Sequence, residues 1–401
     1  MGRNYDIIST YCKGIYSVGP GNFWFVEGEK LGDDRRWPYR LYTFILIALY
    51  LMLTILEILA VFFGDFPEKE GGDAFTLAVT HVIVMMKIFT VISNKEIIRN
   101  INKNMIEHCK KYEKPLVMEN MYRTVKINVT VYVLIVFVSL ACFIIEAIKK
   151  SFEGSNFSTV TTYYPSYYDT SLTANVFGFF LTLVVIMMML TMVISVDSYT
   201  MTNLIMLKYK FITLRGYFEK LWDKFDKTSN SGNLYKAAEN LTNGFLEGII
   251  MHNQLLKLVQ DVHAAFGMVL ASQLMLSTGS AVFILLQIAL SKQITIINVT
   301  KLALFFAAVI ILLGLFLCNA GEITYQASQL SNAIFYCGWH LCPILPPPHR
   351  NLRQLVLHAC TQAQCPPVMK AFKMIELTYA TFIQVLRGSY SLFALIYTRN
   401  K

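Results

Sequence analysis

Six residues of the C-terminal apolar segment, Thr381, Gln384, Gly388, Ser391, Leu395 and Thr398, fall within one sector of roughly 100° when the chain is wound as a helix. Hydroxyl, amide and glycine groups on one stripe of a membrane-length helix have two uses. Around an axis shared by several copies, such stripes line a water-filled pore. Against a neighbouring helix, the same small residues permit close packing. Phe382, Leu386, Tyr390, Phe393 and Tyr397 gather on the opposing sector and suit protein or lipid. Leu395 is the one large apolar group near the end of the polar stripe, where a ring of such side chains would close a pore by dewetting.

Other reactive residue types are sparse. Glu57 and Lys87 stand inside apolar runs, where an ionisable group points to function or pairing. Their positions at opposite ends of adjacent runs argue against a direct pair, so Lys87 is expected to snorkel toward the near surface and Glu57 to be protonated or buried against protein. Cys337, Cys342, Cys360 and Cys365, with His340, His349 and His358, match no compact zinc-ligand spacing, so no metal or other cofactor is expected. His252 comes without a partner carboxylate and reads as a core or interface residue. No nucleophile, base and orienting group line up, which argues against an enzyme.

The elements that position these residues are membrane helices. Hydrophobic residues make up 55% of the chain, mean hydropathy is +0.47, and charged residues are only 15%, against about 25% in soluble domains. Apolar runs of spanning length occur at 41–63, 74–93, 127–148, 172–196, 266–290, 302–318 and 377–397. Seven spans put the termini on opposite sides. Of the 35 Lys and Arg residues, 26 fall in the N-terminal segment and the second, fourth and sixth connections, and 7 in the other connections and the C-terminal tail. The basic side is cytoplasmic by the positive-inside rule. The expected fold is therefore an all-α membrane protein with seven transmembrane helices, its N-terminus inside and its C-terminus outside. The net charge of +9 then reflects a cytoplasmic surface facing anionic lipid rather than nucleic acid.

Cysteine placement agrees, since the outer connections contain none and the inner ones sit in a reducing compartment. Residues 1–40 lack the short apolar core and cleavage site of a signal peptide. Asn156 in Asn-Phe-Ser and Asn298 in Asn-Val-Thr are the outward glycosylation candidates, and the tyrosines at 163, 164, 167 and 168 suit either headgroup depth or the rim of a cavity. Leu204, Leu207, Phe211, Leu214, Phe218, Leu221 and Phe225 alternate spacings of three and four, and the period resumes at Leu234 and runs to Val259. Spans four and five therefore extend below the membrane as a helical platform. A short amphipathic helix with Leu352, Leu355, Val356, Ala359 and Ala363 on one face follows, and Pro366 and Pro367 split it from the last span. Leu204 to Phe225 and the 352–363 helix are expected to build subunit contacts, with Phe211 and Leu355 at their centres.

The inverted seven-span layout, Cys318, Gly321, Leu330 and Trp339 after span six, and the run from Pro367-Val368 to Ser389-Tyr390-Ser391 resemble the insect odorant receptor family. The layout covers the whole chain and the motifs about its last quarter. The resemblance implies an odorant-binding subunit of a ligand-gated, non-selective cation channel in the plasma membrane of a sensory neuron dendrite. Its partners would be a small volatile odorant, a shared co-receptor in a heterotetramer, lipid and permeant cations. The co-receptor has a much longer fourth-connection insertion, so this chain looks like a tuning subunit. Gustatory receptors share the layout, but their motif after Thr-Tyr fails here, because Gln384 comes one position early and Val385 follows it. A gustatory-type channel and a metabotropic seven-span receptor are the alternatives.

The division the resemblance implies is a cytoplasmic segment at 1–40, a ligand-binding bundle at 41–196, platform at 197–265, spans five and six at 266–318, platform with the first half of the seventh helix at 319–376, and pore helix with extracellular end at 377–401. Pore and gate would be Thr381, Gln384, Gly388, Ser391, Leu395 and Thr398, with Arg387 awkward at the flank. Candidates for an apolar ligand pocket are His81, Met85, Ser139, Cys142, Glu146, Phe177, Phe180, Leu181, Phe305 and Leu312.

Overall fold

The structure, a computed structural model, describes residues 3–25, 32–63, 68–152, 172–230, 232–290, 296–342 and 352–399, with the backbone alone at several helix ends. Its helices are, in chain order, α1 (Arg3–Ser17), α2 (Trp37–Phe63), α3 (Glu68–Ser93), α4 (Lys95–Glu107), α5 (Pro115–Phe152), α6 (Leu172–Asn230), α7 (Leu234–Leu290), α8 (Ile296–Ser328), α9 (Leu330–Phe335), α10 (Leu352–Ala363) and α11 (Tyr379–Arg399). Apolar runs wind into helices because a chain in hydrocarbon must satisfy its backbone polar groups internally. Stretches of α2, α5, α6, α7 and α8 are long and apolar enough to cross a membrane, and α3 adds a shorter apolar stretch, Ala78–Ser93.

Helices α6 and α7, of 59 and 57 residues, are each roughly 85 Å long at 1.5 Å per residue, nearly three times the hydrocarbon thickness of a bilayer. Much of each therefore lies outside it. They meet at a tight turn where Gly232 has φ of +84° and the Asn233 side chain accepts a hydrogen bond from the Lys236 N–H at 3.1 Å, capping α7. From there they pack against one another along the expected stripe. Leu204, Leu207, Phe211, Leu214, Phe218, Leu221 and Phe225 are all buried, as are Ala238, Leu241, Phe245, His252, Leu255 and Val259 across from them. Gly248 lets the helices approach, since a Cβ there would sit 2.5 Å from the Phe218 ring. Burial of each large apolar side chain in this seam contributes roughly 1.5–3 kcal/mol.

This packing corrects one expectation. The Leu204 to Phe225 stripe is consumed inside the chain, and Phe211 is completely buried rather than offered to another subunit. On the apolar face of α10, Leu352, Val356, Ala359 and Ala363 are buried, and Leu355 is half-buried. A three-four period reports a helix that packs, not whose helix it packs on.

Further elements escape the sequence reading. Helix α1 docks on α4, α5 and α6 and buries Ile7, Ile8, Cys12 and Ile15. Asn102 of α4 holds the segment after it, donating to the Phe23 carbonyl at 2.8 Å while accepting from the Tyr199 hydroxyl at 2.6 Å. Between α10 and α11, where only a break was expected in an all-α chain, β1 (Lys370–Ala371) and β2 (Ile375–Glu376) form an antiparallel hairpin pairing Lys370 with Glu376 and Ala371 with Ile375.

Candidate functional site

Helix α11 is capped by Thr378, whose Oγ1 accepts from the Thr381 N–H at 3.3 Å. It lies against α7 and α8. Two glycines of α8 set the distance. A Cβ on Gly321 would sit 3.3 Å from Thr378 Cα and 3.4 Å from Tyr379 N, and one on Gly314 would meet the Phe382 ring at 3.5 Å. Polar contacts fix the base of the helix: the Tyr379 hydroxyl donates to Glu322, which also accepts from Gln326 at 2.9 Å and lies 3.7 Å from Lys208 Nζ on α6. The Thr324 hydroxyl of α8 donates to the Pro367 carbonyl at 2.9 Å.

The side of α11 turned to its own chain carries Phe382, Val385 and the buried Ser389. Gln384, Arg387, Gly388, Ser391, Leu395 and Thr398 lie on the opposite, exposed side, with Leu395 66% exposed and nothing within 4 Å of a Cβ at Gly388. Thr381 sits at the edge of this stripe, buried, its hydroxyl donating to the Glu376 carbonyl. Tyr390, on the bulky sector, is 68% exposed.

The pocket candidates are distributed over several parts of the bundle. His81 and Met85 are buried one turn apart on α3, Met85 within an apolar cluster shared by α2, α3 and α6. Phe305 packs on a second cluster, of Ala281, Ile284 and Val309, while Leu312 joins the main core. Ser139 is half-buried and Phe180 exposed. The side chains of Cys142, Glu146, Phe177 and Leu181 lie outside the described residues, as does Asn156, and Asn298 falls in the first turn of α8.

Both intramembrane charges have partners. Lys87 does not snorkel: it is 1% exposed, with Nζ 2.9 Å from Asp197 Oδ2 on α6 and donating also to Gln273 Oε1 on α7. Asp197 Oδ2 accepts from the Tyr132 hydroxyl of α5 at 2.7 Å, Gln273 donates to Ser277 at 3.0 Å, and the Phe316 ring of α8 lies 5.7 Å from the ammonium. Five helices thus meet at one charge pair. Snorkelling fails because a fixed anion inside the bundle is nearer than the surface. The signal was available, for Asp197 is the only acid between 172 and 218. Glu57 is buried against His81, whose Nδ1 contacts Glu57 Oε2. Among the described residues no three His, Cys, Asp or Glu side chains gather as metal ligands, and the cysteines are free.

Long helices crossing a bilayer around a buried charge pair, with one terminal helix presenting a polar stripe outward, define a polytopic helical membrane protein. The 7tm odorant receptor family model matches residues 68–390. The chain belongs to that odorant receptor family. It is 24% identical over 155 residues to the putative odorant receptor 85d of Drosophila melanogaster, a match spanning 38% of this chain and 36% of that relative. Its fold is that of the insect olfactory receptor OR5 from Machilis hrabei, with a TM-score of 0.77 at 12% identity over 98% of this chain and 97% of that one. The same receptor in complex with eugenol aligns at a TM-score of 0.72 and 13% identity, covering 98% of each chain. Membership places the chain among receptors rather than enzymes.

Proposed function

We propose that this chain is the odorant-binding, tuning subunit of a ligand-gated, non-selective cation channel, assembled with a shared co-receptor and opened by small volatile apolar molecules. The observation that carries this reading is the exposed stripe of α11. A 21-residue helix that leaves Gln384, Gly388, Ser391, Leu395 and Thr398 uncovered by the described residues has a face suited to water and to equivalent helices around an axis. The family supplies the odorant class, and the eugenol complex of the Machilis receptor is an instance of such a ligand on this fold. The charge distribution supports seven spans in the plasma membrane with the N-terminus inside, the platform of α6, α7 and α10 in the cytoplasm, and the C-terminus outside. Pocket candidates remain His81, Met85, Ser139, Cys142, Glu146, Phe177, Phe180, Leu181, Phe305 and Leu312.

Whole-cell recording from cells expressing this chain with and without a co-receptor, over a panel of volatiles, tests the reading. A current that needs both chains, survives guanine-nucleotide blockade and follows the volatile applied is expected. A response abolished by that blockade would make the chain a metabotropic receptor. Tags at the two ends test orientation, with only the C-terminal tag labelled on intact cells.

A further inference from the structure

The Glu57–His81 pair has one atom too few to complete it. Glu57 is 2% exposed, His81 7%, and the imidazole Nδ1 engages Oε2 alone. The second carboxyl oxygen, Oε1, is buried and has no hydrogen-bond partner among the described residues. The hydroxyl one turn away, Thr54, donates to the Tyr50 carbonyl at 2.8 Å and cannot serve it. A proton shared by the pair lies between Nδ1 and Oε2, which leaves Oε1 an acceptor, and a buried acceptor left unpaired is destabilising.

Its surroundings are a packed apolar cluster rich in methionine. Glu57 lies one turn beyond Leu53 on α2, and His81 one turn beyond Met85 on α3, so the pair closes one end of the cluster of Leu46, Tyr50, Leu53, Val84, Met85, Ile88, Met189, Met192 and Val193. Three of those residues are Met, and Met188 packs against them. Unbranched thioethers repack around an inserted group at low cost, which branched side chains do not.

We propose that Glu57 Oε1 is the acceptor of a small-molecule site between α2, α3 and α6, which takes an amphiphile with one terminal hydroxyl or amine and an apolar body lying among the methionines. The inference rests on the odorant-receptor reading and adds the ligand's chemistry to it. Selectivity follows from the acceptor. An alcohol or amine completes the pair, whereas an ether of equal size brings a second acceptor to face Oε1.

Hexanol, hexylamine and methyl pentyl ether, the isomer of hexanol without a donor, test this. In cells where the chain with a co-receptor responds to any volatile, hexanol and hexylamine should act at concentrations at least about tenfold below the ether, and Glu57→Leu should erase that difference. Glu57→Asp, which withdraws the acceptor and keeps a carboxyl group, is the second variant should Glu57→Leu fail to reach the surface. Equal potency of hexanol and ether in the wild type, or a preference that survives both substitutions, overturns the proposal while leaving the channel reading intact. If no volatile evokes current, the channel reading falls, and the site is read directly on purified protein in lipid. Infrared difference spectra should then show a carboxyl band shifted by hexanol and not by the ether, lost in Glu57→Leu, and the absence of that shift overturns the site.

Discussion

Lys87 on α3 and Asp197 on α6 hold each other 2.9 Å apart where both side chains are almost wholly buried. The pair is fully hydrogen-bonded through Tyr132 and Gln273, which is what allows two charges to rest in a low-dielectric bundle. Removing one partner strands the other. Lys87→Met and Asp197→Leu should each destabilise by about 3–5 kcal/mol, seen as loss of surface protein and a lower melting temperature in detergent. The double variant Lys87→Met with Asp197→Leu should be much less damaging than either alone. Equal damage in all three would mean the pair is incidental to the fold.

Much of the helix layout was legible, and the reasons differ from element to element. Leu204 to Phe225 announced α6 because a three-four period needs no knowledge of the partner. The same period could not say that the partner is α7 of the same chain, because the surface that covers Phe211 is set by tertiary packing. Lys87 has no visible anion in the sequence because Asp197 lies 110 residues away and only the fold brings it near. The β1–β2 hairpin was invisible for a local reason: Phe372 and Lys373 occupy its turn with φ of +51° and +61°, positions where Gly or Asn is the expected signal. For the candidate pore, Gln384, Gly388, Ser391, Leu395 and Thr398 were legible as a stripe, while burial of Thr381 depends on the hairpin that precedes it.

The glycines make a sharper test of helix approach than any apolar residue. Gly321→Ala places a methyl 3.3 Å from Thr378 Cα, a backbone atom that cannot rotate away, so α11 must shift outward. Gly279→Ala meets nothing within 4 Å and serves as the control. Gly321→Ala should lower thermal stability by about 1–3 kcal/mol and alter basal or evoked current, and Gly279→Ala should do neither. Matching behaviour of the two would remove the close approach as an explanation for Gly321.

Thiol labelling reads the platform without assuming orientation. Burial pushes the Cys337 thiol up to about 12 and Cys342 up to about 11, and it also raises Cys360. At pH 8 the thiolate fraction of Cys337 is then about one in ten thousand. Cys365 is exposed. In detergent-solubilised protein carrying Cys142→Ser, maleimide at pH 8 should label Cys365 first. Cys337 and Cys342 should follow only as pH rises or the fold opens, since a raised thiol pKa delays the thiolate. Cys365→Ser should abolish the fast phase, and a fast phase that persists would place another thiol at the surface.

The last prediction concerns the face of α11. Leu395 is 66% exposed on the stripe that carries Gln384, Gly388 and Ser391, and among the described residues no group covers it. If those stripes surround a pore, the ring at Leu395 is its apolar neck, where an ion finds no replacement for its hydration shell. Leu395→Ser should then raise current without ligand and shrink the evoked increment, partially in a channel whose other helices come from a co-receptor. Arg387 shares the exposed side and turns the test into one of geometry. If it reaches the lumen, Arg387→Gln should increase cation conductance, and if it turns to a neighbouring helix the change should reduce assembly instead. Cysteines at positions 384, 388, 391, 395 and 398 should be blocked by silver or thiol reagents during opening, while cysteines at 382 and 385, on the side packed against α7 and α8, should be spared. Equal block on both sides, or block on neither, would mean that this helix does not wall the ion path.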